Sequence, residues 1–167
     1  MADDSLRALA EAVLGACRAK GLRLATAESC TGGMVAAALT DIAGSSDVVE
    51  RGLVTYSNAA KSELLAVTPE LIAAHGAVSG EVASAMAAGA LARAPVDLAV
   101  SITGIAGPGG GSAAKPVGLV WFGIAAKGGD ATTESHVFPG DRAAVRRAAT
   151  RRALALLLAA ASSSEDR

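Results

Sequence analysis

The chain has 167 residues, enough for one domain of ordinary size and hardly for two. Hydrophobic residues make up 51% of it and aromatic residues only 2%, so we expect an aliphatic core, rich in alanine and glycine. Fifteen basic residues against sixteen acidic ones give a net charge of −1, which excludes the basic surface typical of a nucleic-acid-binding protein.

The sequence does not indicate a membrane protein or a metalloprotein. The longest weakly polar stretch, Ala153 to Ala161, is far shorter than the ~20 residues of a membrane-spanning helix. The N-terminal residues lack the basic segment of a signal peptide. Cys17 and Cys30 are too few for a disulfide framework, and two histidines cannot form a zinc cluster. We therefore expect a cytoplasmic protein with reduced thiols and no bound metal.

The N-terminal half alternates between helices and strands. Hydrophobic periodicity and capping residues predict, in chain order, a helix over Ser5–Lys20, a strand over Leu22–Ala27, a helix over Thr31–Ile42, a strand over Leu53–Tyr56, a short helix over Ala59–Leu65, and two helices capped by Thr68 and Ser79, the second ending near Ala92. This alternation is typical of α/β proteins.

The C-terminal half begins with the strongly apolar strand Val96–Thr103 and a glycine-rich loop over Gly104–Lys115. Two further strands, Val117–Ala126 and Thr132–Phe138, flank a Lys-Gly-Gly-Asp turn and predict a β-hairpin. A long final helix follows over Asp141–Ala161, with Asp141 as its N-cap.

This order of elements predicts a single three-layer α/β/α domain with a mixed, mostly parallel sheet and a late antiparallel strand pair. The domain would span residues 1–161, and residues 162–167 would form a flexible tail. Binding sites in such sheets lie at the carboxyl ends of strands. The loops that follow Ala27, Tyr56 and Thr103 are therefore the candidate sites.

The first candidate loop, Ala27-Glu-Ser-Cys-Thr-Gly-Gly, opens a helix. Backbone N–H groups at Thr31, Gly32 and Gly33 would face an anion at the positive end of that helix. Ser29 and Cys30 are both placed to act as nucleophiles. Ser29 could equally serve only as a helix cap, since serine is a common N-cap.

The second loop carries Tyr56, Asn58 and Lys61. A serine nucleophile needs a base, and neither histidine lies in a comparable loop. A lysine whose pKa is lowered by burial can act as that base. The alternatives are that Lys61 is a solvated helix residue and that Tyr56 only covers the edge of the sheet.

The third loop, from Thr103 to Ser112, contains Gly104, Gly107 and Gly110 and has the composition of a phosphate-binding loop but not the spacing of a P-loop. It is either an anion-binding nest or a flexible connection. At the start of the last helix, a cation opposes the helix dipole, so Arg142 requires an anion, either Asp141 or a ligand phosphate. The other arginines of this helix are expected to be solvated.

Six segments carry a resemblance to a known family, in the same order and over nearly the whole chain: AESCTGG, GLVTYSNAAK, HGAVS, SITGIAGPGGG, KPVGLVWFG and FPGDR. They resemble the CinA C-terminal domain family, and the chain is similar to its short stand-alone members. The resemblance implies hydrolysis of the carboxamide of nicotinamide mononucleotide, with no cofactor, in a homo-oligomer. It assigns the nucleophile to Ser29, the base to Lys61 and an assisting role to Tyr56.

The remaining candidates are expected to bind the substrate. Backbone N–H groups from Cys30 to Gly33 would hold the oxyanion. The residues expected to contact ribose and phosphate are Asn58, Arg142 and the loop that contains Thr103, Gly104, Gly107 and Gly110.

Two alternatives stay open: an enzyme whose nucleophile is Cys30, and a nucleotide-binding regulatory module without turnover. The helix Ser79–Ala92, rich in small residues, fits either an oligomer interface or burial within one subunit.

Overall fold

The computed structural model describes residues 3–164. Its helices and strands, in chain order, are α1 (Asp4–Lys20), β1 (Leu24–Glu28), α2 (Met34–Thr40), a short 3-10 turn (Ser45–Asp47), β2 (Val49–Val54), α3 (Asn58–Leu65), α4 (Pro69–His75), α5 (Gly80–Arg93), β3 (Leu98–Gly104), β4 (Leu119–Ala126), β5 (Thr132–Val137) and α6 (Arg142–Ser163).

Within residues 3–164 the sheet has five strands in the order β2-β1-β3-β4-β5. β1 runs parallel to both β2 and β3, whereas β4 is antiparallel to β3 and to β5. The mixed sheet and the late antiparallel pair are therefore confirmed. Because β2 and β3 flank β1 on opposite sides, the chain changes direction across the sheet at β1. This is the topological switch point at which open α/β sheets bind ligands.

Helices cover both faces of the sheet and complete the three predicted layers. On one face, α1, α2 and α6 pack over a core that includes Leu14, Val100, Phe122 and Leu154. On the other face, α3, α4 and α5 pack over a smaller core that includes Met86. β1 is buried along its whole length because both of its faces are covered.

Two differences from the predicted boundaries lie next to the candidate loops. β2 covers Val49–Val54 rather than Leu53–Tyr56. α2 begins at Met34 rather than Thr31, because Gly32 and Gly33 adopt positive φ angles (58° and 104°) in a turn before it.

The predicted tail lies partly outside the described residues. α6 continues to Ser163, so two of the tail residues belong to the last helix. Residues 165–167 of the predicted tail are not among those that the structure describes. In the part that it does describe, none of the helices has the length and hydropathy needed to cross a membrane.

Candidate active site

Ser29 directly follows β1, at the carboxyl edge of the sheet. Its backbone N–H donates to the Ile102 carbonyl of β3 at 2.9 Å, which extends the strand pairing by one residue and fixes the serine backbone. The side chain is 8% exposed, so its hydroxyl is reachable from a cavity but shielded from bulk water. The sequence prediction placed this serine at a strand end, and the structure confirms that position.

Lys61 reaches Ser29 from the neighbouring loop. It lies in α3, whose N-cap Ser57 accepts a hydrogen bond from the Ala60 N–H. Its Nζ is 3.1 Å from Ser29 Oγ and donates to the carbonyls of Thr55 (2.9 Å) and Tyr56 (3.4 Å). The residue is only 1% exposed. Lys61 is therefore a buried lysine next to a hydroxyl group, and the solvated alternative is wrong.

Burial shifts the protonation equilibrium of Lys61 toward the neutral amine. Desolvation lowers the pKa of its ammonium group, and only a weaker interaction with Cys30 acts in the opposite direction. Among residues 3–164, no carboxylate forms an ion pair with it. A neutral amine has two N–H donors and one lone pair. In the ammonium form Nζ donates to the two carbonyls and to Ser29 Oγ; in the neutral form the carbonyls take up both donors, and the lone pair is left for the Ser29 hydroxyl.

Cys30 lies beside Ser29 but differs from it chemically. It is a free, buried thiol, and burial raises its pKa to about 11, so it stays protonated at neutral pH. Since the thiolate is the nucleophilic form, Cys30 is a poor candidate for attack on an amide.

Alkylation tests this assignment. We expect Cys30→Ala to retain most of the amide-hydrolysing activity that the family resemblance implies, and iodoacetamide to leave the wild-type rate almost unchanged, because a protonated, buried thiol is a poor nucleophile. Hydrolase rates before and after alkylation measure this. Complete loss of activity in Cys30→Ala, with the fold intact by circular dichroism, would make the thiol the nucleophile.

The N-terminus of α2 differs from the prediction that it binds a ligand anion. The Glu28 carboxylate, 1% exposed, accepts hydrogen bonds from the backbone N–H groups of Val35 (2.9 Å) and Ala36 (3.0 Å). The Gly32 N–H is also used, because it donates to the Ser29 carbonyl at 3.0 Å. A side chain of the protein itself therefore satisfies the positive end of this helix.

A cavity of about 210 Å³ opens beside Ser29 at the carboxyl ends of β1, β2 and β3. The residues that line it come from all three predicted loops and from the turn before α5: Ser29, Cys30, Tyr56, Asn58, Lys61, Ala77, Val78, Thr103, Gly104, Ala106 and Arg142. The Thr103 hydroxyl donates to the Ala77 carbonyl at 2.8 Å, which ties β3 to that turn.

Arg142 and Tyr56 form the mouth of the cavity. Arg142 donates to the Gly107 carbonyl at 3.0 Å and to the Tyr56 hydroxyl at 3.2 Å. Asp141 does not compensate this cation, because its carboxylate caps α6 by accepting from the Ala144 N–H. Tyr56 is 62% exposed. Its carbonyl, and not its hydroxyl, contacts Lys61.

The structure places the other predicted binding residues outside the cavity wall. Thr31 is buried, and its hydroxyl has no hydrogen-bond partner among residues 3–164. Gly32 and Gly33 form the turn before α2. Gly107 acts through its carbonyl on Arg142, and a Cβ there would lie 2.5 Å from Val117. Gly110 is exposed.

Sequence reasoning missed two groups of residues. Ala77 and Val78 reach the cavity from the turn before α5, which the sequence marked only as a helix start. Glu28 and Arg146 hold the loop that carries Ser29: Arg146 is not solvated but donates to the carbonyls of Cys30 and Thr31. The sequence offered two signals for these residues. Glu28 is an acidic residue at the end of an apolar strand, and Arg146 is a second arginine four positions after Arg142.

The profile of the CinA C-terminal domain matches residues 6–161. The nicotinamide-nucleotide amidohydrolase PncC of Escherichia coli K12 is 55% identical over 157 residues, which cover 94% of this chain and 95% of that relative. A CinA-like protein of Mycolicibacterium gilvum is 59% identical over 137 residues, 82% of this chain but 32% of that longer relative.

Solved structures with the same fold are also related in sequence. The competence/damage-inducible protein CihA of Agrobacterium tumefaciens superposes with a TM-score of 0.92 at 46% identity, covering 95% of this chain and 97% of that one. ComA of Klebsiella pneumoniae gives a TM-score of 0.91 at 40% identity, covering 96% and 99%. The match of the family profile to almost the entire chain, together with these relatives, establishes that the chain belongs to the CinA C-terminal domain family.

Proposed function

We propose that this protein hydrolyses the carboxamide of nicotinamide mononucleotide to nicotinate mononucleotide and ammonia. Relatives named nicotinamide-nucleotide amidohydrolase are 54–55% identical to it over most of both chains. The observation that carries the proposal is the contact of 3.1 Å between Lys61 Nζ and Ser29 Oγ, in a cavity at the switch point of the sheet. This pair supplies the base and the nucleophile that amide hydrolysis requires.

In the first step, neutral Lys61 accepts the proton of Ser29 as Oγ bonds to the carboxamide carbon. The carbonyl oxygen of the substrate becomes an oxyanion. Lys61 then gives its proton to the amide nitrogen, the C–N bond breaks, and ammonia leaves. The product of this half-reaction is an ester between Ser29 and the nicotinoyl group.

In the second step, Lys61 accepts a proton from water while the water oxygen attacks the ester carbon. The proton then passes to Ser29 Oγ as the ester bond breaks, which frees nicotinate mononucleotide and restores the enzyme. The carbonyls of Thr55 and Tyr56 hold Lys61 Nζ in place throughout. The Tyr56 hydroxyl, bonded to Arg142, has a different part in the proposal: it orients that guanidinium at the cavity mouth.

The cavity favours entry of the nicotinamide ring rather than the whole nucleotide. Its volume of about 210 Å³ is below the roughly 300–1,000 Å³ of sites that enclose drug-sized ligands. The ribose and phosphate would therefore extend past the mouth, where Asn58 and Arg142 lie.

Measurement of both products tests the proposed function. The wild-type protein should release ammonia and nicotinate mononucleotide from nicotinamide mononucleotide in equal amounts. The alternative, a regulatory module without turnover, predicts that the nucleotide binds and is recovered unchanged. Binding measured by calorimetry, without ammonia release, would therefore contradict the proposal.

Arg142→Ala should raise KM for the mononucleotide by roughly 10–100-fold, the loss expected for one hydrogen bond to a charged group. KM for nicotinamide riboside, which lacks the phosphate, should change much less. In residues 3–164, Arg142 donates to neutral oxygens and pairs with no acid, so its charge is available to a phosphate. Steady-state kinetics on the two substrates measure the difference. Equal increases would indicate that Arg142 only holds Tyr56 and Gly107.

Chelation gives a further prediction. Within residues 3–164, no group of three or more His, Cys, Asp or Glu side chains is arranged to hold a metal ion. The proposed mechanism uses only Ser29 and Lys61, so hydrolysis should continue after exhaustive dialysis against EDTA. A loss of activity that a divalent cation restores would contradict this mechanism.

The same proposal includes a cytoplasmic location and a homo-oligomeric state. The location agrees with the free, buried thiols Cys17 and Cys30. The family resemblance supports the oligomer. Light scattering coupled to size-exclusion chromatography would measure its mass, and a monomeric mass would contradict that part of the proposal.

A further inference from the structure

We infer that Glu28 is a positioning residue for the acylation of Ser29: its carboxylate, anchored on the N-terminus of α2, fixes the end of β1 so that Ser29 faces Lys61. This inference deepens the proposed function and rests on it. Glu28 lies directly before Ser29 in the chain, but it is not part of the cavity wall, and the proposed mechanism gives it no chemical step.

The Glu28 carboxylate is buried and held by backbone groups. Oε1 accepts from the Val35 N–H at 2.9 Å, and Oε2 accepts from the Ala36 N–H at 3.0 Å, with the Thr26 hydroxyl at 3.5 Å. Among residues 3–164, no basic side chain forms an ion pair with it. Burying a carboxylate without a cation is costly, so the N–H groups and the positive end of α2 are what stabilise Glu28 in this position. They tie the end of β1 to the start of α2.

Strand geometry carries this anchor across the sheet to the nucleophile. Successive side chains of a strand point to opposite faces of the sheet. Glu28 reaches α2, which packs with α1 and α6 on one face. The Ser29 N–H continues the pairing of β1 with β3, so the Ser29 side chain points to the other face, where α3 carries Lys61. Holding Glu28 on one face therefore turns the nucleophile toward the base on the other.

The backbone of Glu28 is also connected to the base. Its carbonyl accepts from the Thr55 N–H at 2.8 Å, and the Thr55 carbonyl accepts from Lys61 Nζ at 2.9 Å. Ser29 is thus placed through the next peptide bond and Lys61 through one intervening residue. The distance of 3.1 Å between Lys61 Nζ and Ser29 Oγ therefore depends on where Glu28 is held.

Glu28 acts through position rather than through its charge. An anion beside Lys61 would favour the ammonium form and oppose its use as a base. Desolvation lowers the pKa of Lys61, and the interaction that opposes this shift comes from Cys30, not from Glu28. Loss of the Glu28 anchor should therefore slow the reaction of Ser29 without moving the pH at which Lys61 becomes active.

The test measures acylation of Ser29 by 4-nitrophenyl nicotinate, an activated ester that carries the ring of the proposed substrate. Ser29 Oγ bonds to the acyl carbon, the ester bond to nitrophenolate breaks, and Lys61 takes the serine proton. Stopped-flow absorbance follows the released nitrophenolate, and saturation with ester separates the acylation rate from binding.

Two variants weaken the anchor from its two sides. Glu28→Gln keeps the shape and one acceptor oxygen but turns an NH₂ donor toward a backbone N–H. Ala36→Pro keeps the carboxylate and removes the N–H that Oε2 accepts, and proline is tolerated in the first turn of a helix. The matched control is Asp3→Asn, which removes a carboxylate from the N-terminus of α1, where it accepts the Ser5 N–H at 3.0 Å and does not line the cavity.

Glu28→Gln should acylate roughly 10²-fold more slowly than the wild type, and Ala36→Pro roughly tenfold more slowly, because a misplacement of about 1 Å has a cost of this size in rate. Ester binding and the pH midpoint of acylation should not change. Asp3→Asn should lose stability and keep the wild-type acylation rate. Ala36→Pro, which leaves the bond to Val35 in place, decides the question if Glu28→Gln does not fold.

Folded variants that acylate at the wild-type rate would overturn the inference. So would a shifted pH midpoint with an unchanged maximal rate, weaker ester binding with an unchanged rate, equal slowing in Asp3→Asn, or a wild-type protein that the ester does not acylate. Failure of the proposed function is a separate result, a wild-type protein that is acylated by the ester but releases no ammonia from nicotinamide mononucleotide.

Discussion

Ser29→Ala is expected to lower kcat for the hydrolysis of nicotinamide mononucleotide by about 10⁴–10⁶-fold, the loss typical of removing a nucleophile. In the proposed mechanism Ser29 forms the covalent bond to the substrate, and the nearby thiol of Cys30 is a poor replacement because burial raises its pKa to about 11. Substrate affinity, measured by calorimetry, should stay close to that of the wild type. Ammonia release from matched enzyme samples measures the loss.

A control separates this effect from a change in the fold. Ser62→Ala alters a serine next to Lys61 in α3 that does not line the cavity, so its activity should match the wild type. Both variants should have the circular dichroism spectrum and the Tm of the wild type. Substantial turnover by a folded Ser29→Ala variant would mean that water attacks the amide directly.

Lys61→Arg is expected to abolish turnover as completely as Lys61→Met. A guanidinium remains protonated at any pH used for the assay and cannot accept the Ser29 proton. The wild-type kcat/KM should rise with pH as Lys61 loses its proton, and the midpoint should lie below the ordinary lysine value of ~10.4, because burial lowers its pKa. Near-normal turnover in Lys61→Arg would show that a positive charge, and not a base, is required.

The same lowered pKa makes a prediction about stability, with a definite sign. At a pH above the ordinary lysine pKa, the Lys61 amine is neutral in both the folded and the unfolded chain. Burying it then requires no desolvation of a charge. When the pH falls from the pKa of Lys61 in the unfolded chain toward its lowered pKa in the folded protein, the unfolded chain binds a proton but the folded protein does not. The free energy of unfolding therefore decreases over this pH interval. Lys61→Met removes this cost.

Thermal unfolding measures that effect. At neutral pH, Lys61→Met should have a higher Tm than the wild type, and the difference should shrink as pH approaches ~10. Lys127→Met, at an exposed turn residue, should show no such pH-dependent difference. A Lys61→Met variant less stable than the wild type at neutral pH would indicate that Lys61 is charged and well compensated in the folded protein. The proposed mechanism therefore requires a lysine that lowers the stability of the folded protein at neutral pH.

The positions of the three candidate loops could be predicted from the sequence, because each loop follows a strand or begins a helix that a local residue pattern indicates. The apolar run before Ser29 and the capped helix that carries Lys61 are visible as patterns, and parallel strands bring their carboxyl ends to one edge. The three candidate loops therefore meet as expected. The glycines of the third loop were less informative, because Gly104 and Gly107 are also required by close approaches of Val120 and Val117.

Long-range contacts could not be predicted in this way. Glu28 uses the N-terminus of α2 that appeared free for a ligand, and only the folded turn with Gly32 brings its carboxylate there. Arg146 binds a loop more than a hundred residues earlier in the chain, and its spacing along α6 is also that of a solvated face. In both cases the partner is a backbone group, which has no signature in the sequence.

Hydroxylamine trapping during hydrolysis of nicotinamide mononucleotide tests the Ser29–Lys61 mechanism most directly. Hydroxylamine competes with water for an ester on Ser29 after ammonia has left. The account predicts that increasing hydroxylamine converts the product from nicotinate mononucleotide to its hydroxamate, while ammonia release does not slow. A product that remains nicotinate mononucleotide alone at every hydroxylamine concentration, with ammonia still released, would contradict a covalent intermediate on Ser29.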